Sequence, residues 1–164
     1  MSRAREFSLP NVGPGPDPFS LSALPDEDEF VVLFFQRDYY CTKCRGQVQE
    51  LADRIDEFRE RDAAVVSVVP EPVERVESWQ GQYDLPFPLL ADPDASVGEA
   101  YGQPVRFGPL GRISDFFGRM PEVVIVDRRV DPPDIAYTHR GRSTFDRPSV
   151  DDLLSELDAL RSEE

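Results

Sequence analysis

The chain has 164 residues, with 32 acidic side chains against 18 basic ones and a formal net charge of −14. That length reads as one domain, residues 1–164 with an ordered core at about 6–161, large enough to bury a core without staples. The acidity speaks against nucleic acid as a partner, because phosphates would repel it, and no run of about 18 apolar residues is present to cross a membrane.

The acids are spread along the chain between apolar residues rather than gathered in a tail. Such a spread suits the charged, well-hydrated surface of a protein from a high-salt cytoplasm. The sole lysine, Lys43, lies between the two cysteines. Met1-Ser2-Arg3-Ala4-Arg5-Glu6 lacks the apolar run of a secretory signal, so a cytoplasmic location is expected. Two cysteines do not make a disulfide scaffold.

In chain order, Phe7-Ser8-Leu9-Pro10 and Phe19-Ser20-Leu21 alternate around a proline- and glycine-rich turn, which predicts a hairpin-like arm. Phe30 to Phe35 is a continuous apolar run bounded by charge, the pattern of a buried central strand. Val48, Leu51, Ile55 and Phe58 recur at helical spacing, which predicts one amphipathic helix over Gly46–Arg61. Ala63–Val69 is a second buried strand. A helix follows, with Pro72 in its first turn and Val73, Val76 and Trp79 facing inward. Pro86–Asp92 is a short strand, and Asp92–Gly102 a short helix stopped by glycine. Residues 102–120 are irregular and carry Arg106, Arg112 and Arg119. Pro121–Asp127 and Ile135–Arg140 are strands expected to pair antiparallel, and a last helix opens at Pro148 with Leu153, Leu154, Leu157 and Leu160 inward. Strands alternating with helices give an α/β fold, a central mixed sheet flanked by helices.

The chemistry concentrates in Cys41-Thr42-Lys43-Cys44, between a buried strand and a helix. A helix N-terminus offers unpaired N–H groups and about half a positive charge, which stabilise a thiolate. Lys43 and Arg45 add cations. A thiol that ordinarily titrates near ~8.5 can fall to roughly 3.5–7.5 at such a site, and the thiolate attacks disulfides and peroxides. A structural zinc site needs about four ligands, and the chain offers two cysteines and His139. No cofactor is called for.

The order of elements, with C-x-x-C after the first core strand and a proline opening a later one, resembles the thioredoxin-like fold. Closer still is the peroxiredoxin-like branch, the alkyl hydroperoxide reductase and thiol-specific antioxidant superfamily. The likeness rests on the N-terminal arm as a β-hairpin extension, on Val32 to Arg45, on Leu89-Leu90-Ala91-Asp92-Pro93-Asp94 with Ala100-Tyr101-Gly102, and on Pro121 to Asp127. It implies a thiol-dependent redox enzyme that reduces peroxides or protein disulfides, is recycled by a thioredoxin-type reductant, and could act as a homodimer. A non-catalytic redox sensor with the same fold is the alternative. Cys41 is expected to attack and Cys44 to resolve, with Arg119 beside the thiolate; Tyr40, Thr42, Lys43 and Pro121 are expected to contact substrate. The resemblance further implies a cis bond before Pro121. The family places a proline and a threonine ahead of the reactive cysteine. Counting back from Cys44 puts Arg37 and Cys41 there; counting back from Cys41 puts Phe34 and Asp38.

Overall fold

The structure, a computed structural model, describes residues 2–37, 42–103, 120–142 and 146–162; the side chains of Ser2, Thr42, Lys43 and Cys44 also lie outside the described set. The strands are β1 (Ser2–Arg3), β2 (Phe30–Phe35), β3 (Ala63–Val69), β4 (Leu89–Ala91), β5 (Glu122–Asp127) and β6 (Asp134–Arg140). The helices are α1 (Thr42–Asp53), α2 (Ile55–Arg59), α3 (Val73–Tyr83), α4 (Ser96–Ala100) and α5 (Val150–Ser162). The strands form one mixed sheet in the order β1-β6-β5-β2-β3-β4.

β2 is central because its whole length is apolar. All six residues from Phe30 to Phe35 are buried. β3 runs parallel on one side and β5 antiparallel on the other. Alternation then sorts the side chains. Phe30, Val32 and Phe34 join Val48, Leu51, Phe58, Val76, Trp79, Leu153 and Leu157 under α1, α2, α3 and α5. Val31, Leu33 and Phe35 face the other way, onto Leu9, Phe19, Leu21 and Leu24 of the N-terminal arm, Val97 of α4 and Tyr101 just after it. Each fully buried Phe or Leu contributes roughly 1.5–3 kcal/mol.

The sheet and arm follow the sequence expectation. β5 and β6 pair antiparallel, and the arm closes through an antiparallel bridge between Leu9 and Phe19. Two details differ. The helix expected over 46–61 starts earlier, at Thr42, and is broken at Arg54, whose backbone leaves helical geometry (φ −114°, ψ 20°). Arg54 is pinned there by Glu57 at 2.6 Å and by Asp151 of α5 at 2.7 Å. The apolar spacing runs unbroken across that joint, so periodicity alone could not reveal it. Pro72 is the N-cap of α3 rather than a residue of its first turn. Among the described residues no helix is long and apolar enough to cross a membrane.

Candidate active site at the carboxyl end of the central strand

β2 ends at Phe35, and Gln36 turns the chain toward the cysteine segment. Gln36 is buried, and its Nε2 donates to the hydroxyl of Ser67 on β3 at 2.9 Å. Beside it Glu122, the first residue of β5, is registered against Phe35. One side chain ties these ends together. The Nε2 of buried Gln103 donates to the carbonyls of Gln36 and Met120 at 3.0 Å each and lies 3.5 Å from that of Phe35. The clamp therefore joins the chain just before the cysteines to the chain just before Pro121. Pro121 is buried at the same end, where its carbonyl accepts from Gly141 N–H at 2.8 Å.

α1 begins at Thr42, so Cys41 is the residue preceding the helix and Cys44 belongs to its first turn. Two arginines from distant parts of the chain converge here. Half-buried Arg147, from the segment leading into α5, donates from Nη1 to Gln47 Oε1 at 3.0 Å. Gln47 is three residues beyond Cys44 in the sequence of α1. Burial, and then repulsion by Arg37, pulls the Arg147 guanidinium down to about 10, which still leaves it charged at neutral pH. Arg37 lies only four residues ahead of Cys41. Arg45, on the first turn of α1, sits 5.7 Å from the ring of the fully buried Trp79. Trp79 is thus core on one side and a seat for a cation on the other.

Glu122 faces away from α1. Its side chain has no solvent exposure, and Oε1 accepts from Arg140 Nε at 2.8 Å. Oε2 is buried without a hydrogen-bond partner. Burial pushes the carboxyl up to about 7, against the opposing pull of the Arg140 hydrogen bond and charge.

Of the residues singled out in the sequence, the structure places Pro121 at the sheet end with Gln36. Thr42, Lys43 and Cys44 fall in the first turn of α1. Tyr40, Cys41 and Arg119 lie outside the described residues, as do Asp38 and Tyr39. Cis peptide bonds among the described residues precede Pro18 and Pro132, so the bond entering Pro121 is not the cis bond expected there. Sequence reasoning did not single out Arg147, Gln103, Ser67 or Glu122. Ser67 and Glu122 carried a signal, being polar residues inside apolar strands. Arg147 carried none, because its partner is 100 residues away.

A central strand that delivers a cysteine to the first turn of a helix, within a mixed sheet covered as described, defines a thioredoxin-like fold of the peroxiredoxin class. Solved structures agree. Mycobacterium tuberculosis AhpC superposes with a TM-score of 0.76 at 22% identity, covering 99% of this chain and 93% of its own. Peroxidoxin BcpB from the same organism gives 0.72 at 20% identity, over 98% and 96%. The chain belongs to the AhpC/TSA family, whose sequence signature matches residues 2–130. Among curated relatives, alkyl hydroperoxide reductase E of M. tuberculosis H37Rv is 38% identical over 76 residues, 44% of this chain and 48% of the relative. The putative peroxiredoxin YkuU of Bacillus subtilis is 30% identical over 90 residues, 51% of this chain and 50% of the relative. These matches span about half the length of those relatives.

Proposed function

We propose that the chain is a thiol peroxidase that works through Cys41 and Cys44, with protein disulfides as the other substrate class open to the same chemistry. The observation that carries this reading is the placement of Cys44 in the first turn of α1, the helix on whose Gln47 Arg147 docks; Cys41 lies three residues earlier in sequence. The helix N-terminus, Lys43, Arg45 and Arg147 supply positive potential for a thiolate. Membership of the AhpC/TSA family supports peroxide as the oxidant.

In the proposed cycle the Cys41 thiolate attacks one peroxide oxygen. An S–O bond forms, the O–O bond breaks, and the departing alkoxide or hydroxide takes a proton to leave as alcohol or water. The sulfur is then a sulfenic acid. The Cys44 thiol attacks it, water leaves, and a Cys41–Cys44 disulfide remains. A thioredoxin-type dithiol reduces that disulfide by exchange. Arg119 beside the thiolate, and Tyr40, Thr42, Lys43 and Pro121 around the substrate, complete the proposed site. A cytoplasmic pool of reductant is the setting this cycle needs, and a homodimer is the assembly to look for by sedimentation.

Turnover of hydrogen peroxide and of an organic hydroperoxide, coupled to a dithiol reductant, tests the proposal. Rates no better than those of a free thiol would remove it. Oxidation that occurs once without recycling would mark the chain as a redox sensor. One observation favours a second assignment of roles. Gln47, the seat of Arg147, lies three residues beyond Cys44, which brings a cation to the start of α1; Cys44 would then attack first and Cys41 resolve. Cys41→Ser and Cys44→Ser separate the two, since only loss of the attacking sulfur abolishes the first step.

A further inference from the structure

We infer that Arg3, Arg5 and Arg140 form a binding cleft for a dianion of the phosphate class, separate from the cysteine segment and on the opposite face of the sheet. This inference is independent of the peroxidase reading. The cleft, about 520 Å³, is lined by Arg3, Arg5, Glu99, Tyr101, Gly102 and Arg140, together with Ala100 and Ile135. That volume suits a small phosphorylated molecule.

The arginines of the cleft are unusual for this chain. Acids outnumber bases 32 to 18, and Arg54, Arg61, Arg75, Arg129 and Arg161 each have a carboxylate within reach. Arg3 and Arg5 have no acidic partner among the described residues. Arg140 has one, but it is the wholly buried Glu122, which anchors Nε from beneath at 2.8 Å. Nη2 of Arg140 donates to the carbonyl of Tyr101 at 3.3 Å, and Nη1 has no acceptor among the described residues. The guanidinium lies across Gly102, where a Cβ would stand 2.6 Å from Nη2, and Gly102 takes a φ of +82° that glycine alone adopts freely. Arg140 is therefore oriented before any ligand arrives and remains 56% exposed. A planar fork held in this way matches phosphate oxygens.

The charges facing the cleft are Arg3 and Arg5 from β1 and the arm, Arg140 from β6, Glu99 from α4 and Glu122 from β5, with Glu6 acting on Tyr101. Three cations against Glu6, Glu99 and Glu122 leave no net charge when Glu122 is ionised and one net positive charge when it is protonated. The oriented guanidinium forks favour a phosphate-class oxyanion over chloride, and its binding draws a proton onto Glu122, whose carboxyl already lies at about 7.

Calorimetric titration of the full chain with inorganic phosphate at pH 7, in low chloride, tests the site. Saturable binding is expected with a Kd of about 1 mM or tighter. The Arg3→Gln/Arg5→Gln double variant, altered only at exposed side chains, should bind at least about tenfold more weakly with an unchanged melting profile. Sulfate, whose charge is constant between pH 6 and 8, should bind more tightly at pH 6, and Glu122→Gln should abolish that pH dependence while keeping the binding. Chloride displacing phosphate at equal concentration, or an unaltered affinity in the double variant, would overturn the inference. So would a changed oligomeric state in the double variant without phosphate binding by wild type, which would assign these arginines to a protein contact.

Discussion

Replacing Glu122 by glutamine should make the protein more stable in mild alkali and leave it unchanged in mild acid. The carboxyl is wholly buried, one oxygen lacks a partner, and Arg140 offsets only part of the cost of ionising it. Moving a carboxyl from 4.5 to about 7 disfavours the ionised form by about 3 kcal/mol at roughly 1.36 kcal/mol per tenfold. Screening through the exposed Arg140 guanidinium lowers the expected figure to about 2 kcal/mol. Because the folded-state value is raised above the unfolded one, the folded chain holds its proton longer. Stability from this group is intact below pH 4.5, declines between 4.5 and 7, and is fully lost above 7. Glutamine cannot titrate, and its carbonyl can still accept from Arg140. Thermal or urea unfolding at pH 4.5 should therefore place wild type and Glu122→Gln together, while at pH 8.5 the variant should be ahead by about 2 kcal/mol, or about 5 °C. Other titrating groups cancel in the difference between the two proteins. Parallel pH profiles would refute the reasoning, since they would mean that Arg140 fully compensates the burial.

The Gln103 clamp should show in a double-mutant cycle. A Cβ at Gly98 would collide with Gln103 Oε1, so Gly98→Ala should destabilise by about 1–3 kcal/mol, and much less in a Gln103→Ala background; additive effects would deny the contact. Arg147→Met should raise the pH midpoint of iodoacetamide alkylation of the attacking cysteine by about one pH unit through loss of a nearby cation, read by mass spectrometry; an unmoved midpoint would place Arg147 outside the thiolate's field. Phe58→Ala, at a fully buried position of α2, should cost about 3–5 kcal/mol in urea unfolding. With a net charge of −14, the melting temperature should climb from low to molar potassium chloride as repulsion is screened; an indifferent melt would count against adaptation to salt.

The sheet was legible because its strands are apolar runs broken by proline, glycine and charge, from Phe30–Phe35 to Glu122–Asp127. The start of α1 near the cysteines was legible from the local pattern, and Cys44 falls in that helix's first turn. What escaped was set by contacts distant in sequence. β1 is two residues long and owes its existence to pairing with Asp134 and Ile135. The break at Arg54 depends on Asp151. Arg147 and Gln47, or Gln103 with Gln36 and Met120, meet only once the sheet has brought its ends together. An arginine chosen for proximity in sequence, such as Arg45, was easier to name than one delivered by tertiary structure.

The N-terminal arm has one more consequence. Asn11 accepts from Leu89 N–H through Oδ1 at 3.0 Å and donates from Nδ2 to the carbonyls of Pro14 and Pro16 at 3.0 Å each. Val12 N–H donates to the Leu89 carbonyl at 2.9 Å, and Ala91 N–H to the Pro10 carbonyl at 3.0 Å. The outer rim of β4 is thereby occupied by the chain's own first dozen residues, and no foreign strand can stack there. Trimming the protein to begin at β2 would strip off that guard and turn a self-limited sheet into a template for polymerisation.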